Sequence, residues 1–218
     1  MDIALFAVTV VTVSTSGVLS PGPLTIASAA LGVRGSLRSG LLVALGHTLF
    51  ELPYVATLIY LLSSVRNALS RPDVKVGLSA FMAVFMAFFI YLLVKDIVKG
   101  STSLGVGSAA NTVLPYRNPV VVGFAFTALN VYFLIWWATV GLVLIEGSLR
   151  FGTLQGLAIM YPLHVWMDFA WLGLIAYASH KGAEVLGPRG TRVLLGVLAS
   201  ILTYFTASTL YNIVATLT

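Results

Sequence analysis

The chain has no cysteine, and charge is scarce: 9% of its 218 residues are Asp, Glu, Lys or Arg. The missing cysteine excludes structural disulfides and thiol redox chemistry. The shortage of charge excludes an ordinary soluble domain, which carries about 25%. Asn and Gln are few as well, which fits a heat-tolerant source. No basic residue precedes the first apolar run, so Met1-Asp2 does not open a secretory signal peptide, and the first segment is expected to stay as a helix. No His-Glu-x-x-His and no Gly-x-Ser-x-Gly stretch occurs, so the common protease and hydrolase signatures are absent.

What is there is apolar. Hydrophobic residues make up 59% of the chain, and the mean hydropathy is +1.00. Too few polar residues remain to cover a water-facing surface. The composition predicts an all-α integral membrane protein, a single transmembrane domain over 1–218. The net charge of +5 does not indicate nucleic acid, because the basic residues are scattered over short connections.

A helix needs about 20 apolar residues to cross the hydrocarbon core. Six stretches qualify: Ile3–Leu31, Ser39–Leu62, Val76–Val98, Pro119–Ile145, Gly152–Ser179 and Val193–Leu217. The connections run from Arg34 to Arg38, from Arg66 to Lys75, from Lys99 to Arg117, around Arg150, and from Lys181 to Arg192. The third is Gly/Ser-rich and the longest. It divides the chain into repeat one over 1–100, a flexible link over 100–117, and repeat two over 118–218. Three spans per repeat is odd, so the two repeats must lie in opposite orientations, an inverted-repeat architecture common among transporters. The register is uneven: Pro23 to His47 is 24 residues, Asn130 to His164 is 34. The connections after helices one, three and five hold eight basic residues against four after helices two and four, together the 12 of the chain. That bias places the first set in the cytoplasm and both termini outside, in a multi-pass protein of the cell membrane.

Two histidine-acid pairs stand out. His47 precedes Glu51 by four residues in the second stretch, and His164 precedes Asp168 by four in the fifth, 117 residues further on. An ionisable side chain near the bilayer centre is unfavourable by roughly 2.5–3.5 kcal/mol on insertion scales, so each pair is a functional candidate. Residues four apart share one helix face. Three readings compete. The acids carry protons, tuned by the histidines. Or His47, Glu51, His164 and Asp168 converge on zinc or a similar divalent ion. Or the pairs only tie helices together.

The first stretch is too long for one plain span and contains Ser20-Pro21-Gly22-Pro23. Pro21 and Pro23 remove two backbone donors, and Gly22 is conformationally free, so the helix should break. A half-helix starting near Pro23 would aim free N–H groups and a partial positive charge at a buried cavity, which suits a carboxylate. Thr25 and neighbouring serines and threonines add hydroxyls. Asn130, with Thr127, sits inside the fourth span as a second candidate for substrate contact. Trp136 and Trp137 are adjacent, so at most one is expected to line a given cavity. His180 is expected to meet water or headgroups. Tyr204, Tyr211 and Asn212 give the last helix a polar side towards the cavity.

The Pro-Gly-Pro stretch, Gly35, Gly40 and Gly46 opening the second helix, and Gly123-Phe124 through Asn130 with Trp136-Trp137 and Gly141 resemble the lysine exporter (LysE/RhtB) family. The likeness covers most of the chain in helix number and order. It implies a six-helix exporter of amino acids or similar small solutes, driven by the proton motive force. That family usually shows Asn-Pro in its fourth helix. Here Val131 follows Asn130, which predicts a weaker second break. The related thiol-redox transporters need cysteines that this chain lacks.

Taken together, the sequence is expected to specify a secondary transporter, not an enzyme. Pro21, Gly22, Pro23, Thr25 and Asn130 would hold an amino acid, and Glu51, Asp168, His47 and His164 would couple protons. No cofactor is expected, and a homodimer is allowed. The alternatives are a divalent metal exporter using His47, Glu51, His164 and Asp168, and an intramembrane metal-dependent enzyme at the same residues.

Overall fold

A computed structural model describes residues 2–20, 22–98 and 118–217. Pro21 and the link expected over 100–117 lie outside the described residues. The described chain is all-α: α1 (Ile3–Val18), α2 (Pro23–Ser70), α3 (Pro72–Val98), α4 (Pro119–Ala128), α5 (Val131–Thr139), α6 (Leu142–Leu149) and α7 (Thr153–Leu217).

Among the described residues, four helical stretches are long and apolar enough to cross a membrane: Pro23–Leu61, Pro72–Tyr91, Val131–Leu149 and Thr153–Ala215. Ile3–Val18 and Pro119–Ala128 are shorter apolar helices. The 39 and 63 residues of the first and last stretches would rise about 58 and 95 Å as straight helices, against a hydrocarbon core of about 30 Å. Neither is straight. Ser36 leaves helical geometry at φ 52, ψ −151 within α2. Gly187 does so at φ 65, ψ −173 within α7, and Pro188 follows it. The connections expected at Arg34–Arg38 and Lys181–Arg192 are therefore sharp local breaks in helical chain. A positive φ is free of steric penalty at Gly187 and unfavourable at Ser36.

The expected span Pro119–Ile145 is divided into α4, α5 and α6. Asn118 caps α4, its Oδ1 accepting from Val120 N at 3.0 Å, with Pro119 in the first turn. The helix then stops completely at Leu129-Asn130. Asn130 is extended, and its Oδ1 accepts from Tyr132 N at 3.1 Å and Phe133 N at 3.3 Å. The second break is thus made without a proline. A side-chain oxygen that satisfies two first-turn donors starts a new helix as effectively as a missing N–H does.

The largest packing interfaces join α2 to α7 and α2 to α4. Two glycines set the second of these. A Cβ at Gly46 would collide with the Val120 carbonyl, and one at Gly123 with the Val43 carbonyl. The α2 and α4 backbones therefore touch beside His47. The core is layered. Along α2 the polar pair His47 and Glu51 lies between buried Ala44 and Val55; along α7, His164 and Asp168 lie between buried Met160 and Leu172. Two larger apolar clusters flank this layer, one around Met86, Phe126 and Leu202, the other around Phe6, Leu58 and Leu144. Large apolar side chains also cover the outside: Leu5, Phe81, Val84 and Leu154 are all exposed. In water such a surface would drive association; in lipid it matches its solvent.

Candidate functional site

The two histidine-acid pairs converge. His47 Nε2 lies 3.1 Å from Glu51 Oε1 and 3.7 Å from Asp168 Oδ1. His164 Nε2 lies 3.2 Å from the same Glu51 Oε1 and 3.4 Å from Asp168 Oδ2. All four side chains are buried, with Glu51 only 1% exposed. Each acid therefore sits between both histidines, one from its own helix and one from the other.

Neighbouring helices hold the cluster in place. Trp137 Nε1 on α5 donates to Glu51 Oε1 at 3.0 Å, and the Tyr161 hydroxyl on α7 donates to Glu51 Oε2 at 3.1 Å. These two donors, one on each oxygen, fix the carboxylate's rotamer. Both histidines are tethered through Nδ1. His47 Nδ1 contacts Thr127 Oγ1 on α4 at 2.9 Å, and His164 Nδ1 contacts Ser14 Oγ on α1 at 2.7 Å. The close α2–α4 crossing at Gly46 and Gly123 is what brings Thr127 within reach. Thr127 donates its single hydroxyl hydrogen to the Gly123 carbonyl at 2.7 Å. Its oxygen can then only accept, so His47 Nδ1 carries a hydrogen.

The cluster forms one wall of a cavity of about 180 Å³, room for several waters or a small solute. The other walls come from the two helix breaks. Ser16, Gly17, Ser20, Gly22, Leu24 and Thr25 belong to the first; Asn130, Tyr132, Phe133, Trp136 and Trp137 belong to the second. The breaks differ in their electrostatics. Asn130 occupies the first amides of α5, whereas Gly22 gives α2 no side-chain cap and Pro23 starts it. The first-turn amides of Leu24 and Thr25 have no intrahelical acceptor. The partial positive end of α2 is thus the open one.

Gly22, Thr25 and Asn130 line the cavity, as do all four pair residues. Pro23 opens α2 between Gly22 and Thr25, and Pro21 is outside the described residues. Several smaller expectations are corrected. Trp136 and Trp137 both line the cavity: their rings stand edge to face at 5.3 Å, and Trp136 reaches Ser16 while Trp137 reaches Glu51. His180 is partly buried, with Nδ1 3.1 Å from the Val33 carbonyl and Nε2 3.2 Å from Glu184. Tyr204 and Tyr211 are exposed, while Asn212 donates to the Tyr132 hydroxyl at 3.0 Å in a separate hollow. Sequence reasoning missed Ser14, Trp137 and Tyr161 as partners of the cluster. Tyr161 precedes His164 by three residues and shares its helix face, which was the available signal.

A family model, LysE type translocator, matches residues 15–213. The chain belongs to the LysE type translocator family. Membership makes this LysE-type chain a multi-pass membrane transporter of amino acids or related solutes, with a small-molecule substrate and the bilayer as its surround. The matched range contains both helix breaks and all four pair residues. No curated protein and no solved structure shows significant similarity to the chain.

Proposed function

We propose that this LysE-type chain exports amino acids or similar small zwitterionic solutes, coupled to protons, through two inverted three-span repeats. The observation that carries this reading is one cavity walled by two helix breaks and by the four ionisable side chains. Six passes follow when α2 and α7 are divided at Ser36 and Gly187 and when α1 joins the start of α2 and α4–α6 count as broken single spans. Each half then contributes one broken helix and one histidine-acid helix.

The solute carboxylate is assigned to the open start of α2, at Gly22, Pro23 and Thr25, with Pro21 adjoining them in sequence. Amide donors and the helix dipole both favour an anion there. Asn130 faces it from the second break. Proton coupling is assigned to Glu51 and Asp168, with His47 and His164 as relays. The contacts of 3.1–3.7 Å that join all four let a proton move among them without crossing apolar space. Alternating access is assigned to rocking of one half against the other, with Gly22 and the in-helix prolines Pro53 of α2 and Pro162 of α7 as hinges.

Inside-out vesicles test this. With an imposed pH gradient, radiolabelled amino acids should accumulate, and a protonophore should abolish the accumulation. Glu51→Gln and Asp168→Asn should each reduce it to background. Intact pH-driven transport in the double variant would sink the coupling role.

A further inference from the structure

The geometry points to a binding site for a divalent first-row transition ion, with His47 Nε2, Glu51 and Asp168 as its ligands. This goes beyond the solute and proton roles proposed above and does not depend on them.

Almost all buried polar atoms find a hydrogen-bond partner. Among the described residues three buried side-chain atoms do not, and two of them, His47 Nε2 and Asp168 Oδ2, belong to this cluster. Both residues are more than nine-tenths buried, at 4% and 7% exposure. The hydrogen on His47 Nδ1 is fixed by Thr127, so a neutral His47 presents a bare lone pair at Nε2. That lone pair faces carboxylate oxygens at 3.1 and 3.7 Å. Lone pair against carboxylate is repulsive unless a positive charge lies between them.

A proton on Nε2, the charge that the relay role above would put there, is held off-line in this arrangement. Although Glu51 Oε1 is near, the ring geometry leaves Nε2 without a hydrogen bond to it. A metal ion explains both the distance and the misdirection. With bonds of about 2.0–2.2 Å, tetrahedral ligands lie about 3.4 Å from one another and do not point at each other. The separations of 3.1 and 3.7 Å bracket that value. Ligand atoms of His47, Glu51 and Asp168 all lie within 4.8 Å of one another. His164 plays a different part: its Nε2 makes a true hydrogen bond to Glu51 Oε1, so it orients a ligand from outside. Thr127 does the same for His47.

One imidazole and two carboxylates suit zinc, manganese, iron(II) or cobalt(II). Magnesium and calcium prefer all-oxygen sites, and the soft ions want thiolates that this chain lacks. The cavity beside the cluster leaves a coordination position open to water or a solute group.

Cobalt(II) is the probe. Tag-free full-length protein in detergent, stripped with chelator, should bind about one ion per chain. The bound ion should show the intensified visible bands of four- or five-coordinate cobalt. His47→Gln should abolish binding. His164→Gln and Thr127→Val should weaken it by roughly 10–100-fold, as substitutions outside the ligand set do. A wild-type spectrum identical to aqueous cobalt, with no ion retained on gel filtration, overturns the proposal without any variant. So does binding that survives His47→Gln but is lost in His164→Gln. Transport by the same preparation separates the two ideas: protein that transports in vesicles but, once purified and stripped, takes up no cobalt overturns this site and leaves the exporter reading intact.

Discussion

At the scale of single residues, the side chains that decide the site are the two hydroxyls behind the histidines. Thr127 accepts from a buried imidazole N–H while giving its own hydrogen away. Thr127→Val keeps the shape and removes the acceptor. A buried donor without a partner is unfavourable by about 1–3 kcal/mol, so the variant should melt earlier in detergent and transport more slowly, while Thr127→Ser should retain both properties. Equal melting temperatures for the valine and serine variants would show that the contact is dispensable. The four ionisable groups were legible in the sequence because charge inside apolar sequence is conspicuous. Their partners were not. Ser14, Trp137 and Tyr161 are ordinary residues for such a chain, and helix crossing brings them to partners 150, 86 and 110 residues away; only the spacing of Tyr161 from His164 hinted at one of them.

At the scale of elements, the two breaks reach the same end by different chemistry. The first was legible from Pro-Gly-Pro, since proline cannot continue the ladder. The second was underestimated, because periodicity registers apolar runs and does not weigh one capping side chain against a turn of helix. This difference is testable. Val131 is the first residue of α5, where the backbone N–H needs no partner and proline is favoured. Val131→Pro should therefore leave melting temperature and transport unchanged or slightly improved. Proline inside a continuous helix is unfavourable by about 3 kcal/mol or more, so a large loss of stability would mean that α4 and α5 form one helix in the membrane. The same limit explains the misjudged connections at Arg34–Arg38 and Lys181–Arg192. Polar residues there suggested loops, but one residue of unusual backbone is enough to redirect the chain.

At the scale of the whole molecule, membrane character was legible from composition, because the solvent-facing surface and the core have the same apolar chemistry. Convergence of the two pairs was not, because it depends on how α2 and α7 cross. Orientation is also a whole-molecule property. The chain has no cysteine, so single cysteines report it cleanly. If the basic connections face the cytoplasm, Asp2→Cys should react with a membrane-impermeant maleimide in intact cells, and Lys181→Cys should react only after permeabilisation. The reverse pattern would overturn the assigned topology.

The tethers of the histidines cross between the halves proposed above. His47, in the first half, is held by Thr127 of the second; His164, in the second, is held by Ser14 of the first. Each half thus keeps the other's imidazole in register, like two clasps fastened in opposite directions across one seam. Rocking that parts the halves on one side strains one clasp before the other. In the rocking cycle proposed above, an arrangement with both fastened would be the closed midpoint, and the order in which the clasps release would set which face of the membrane the cavity meets.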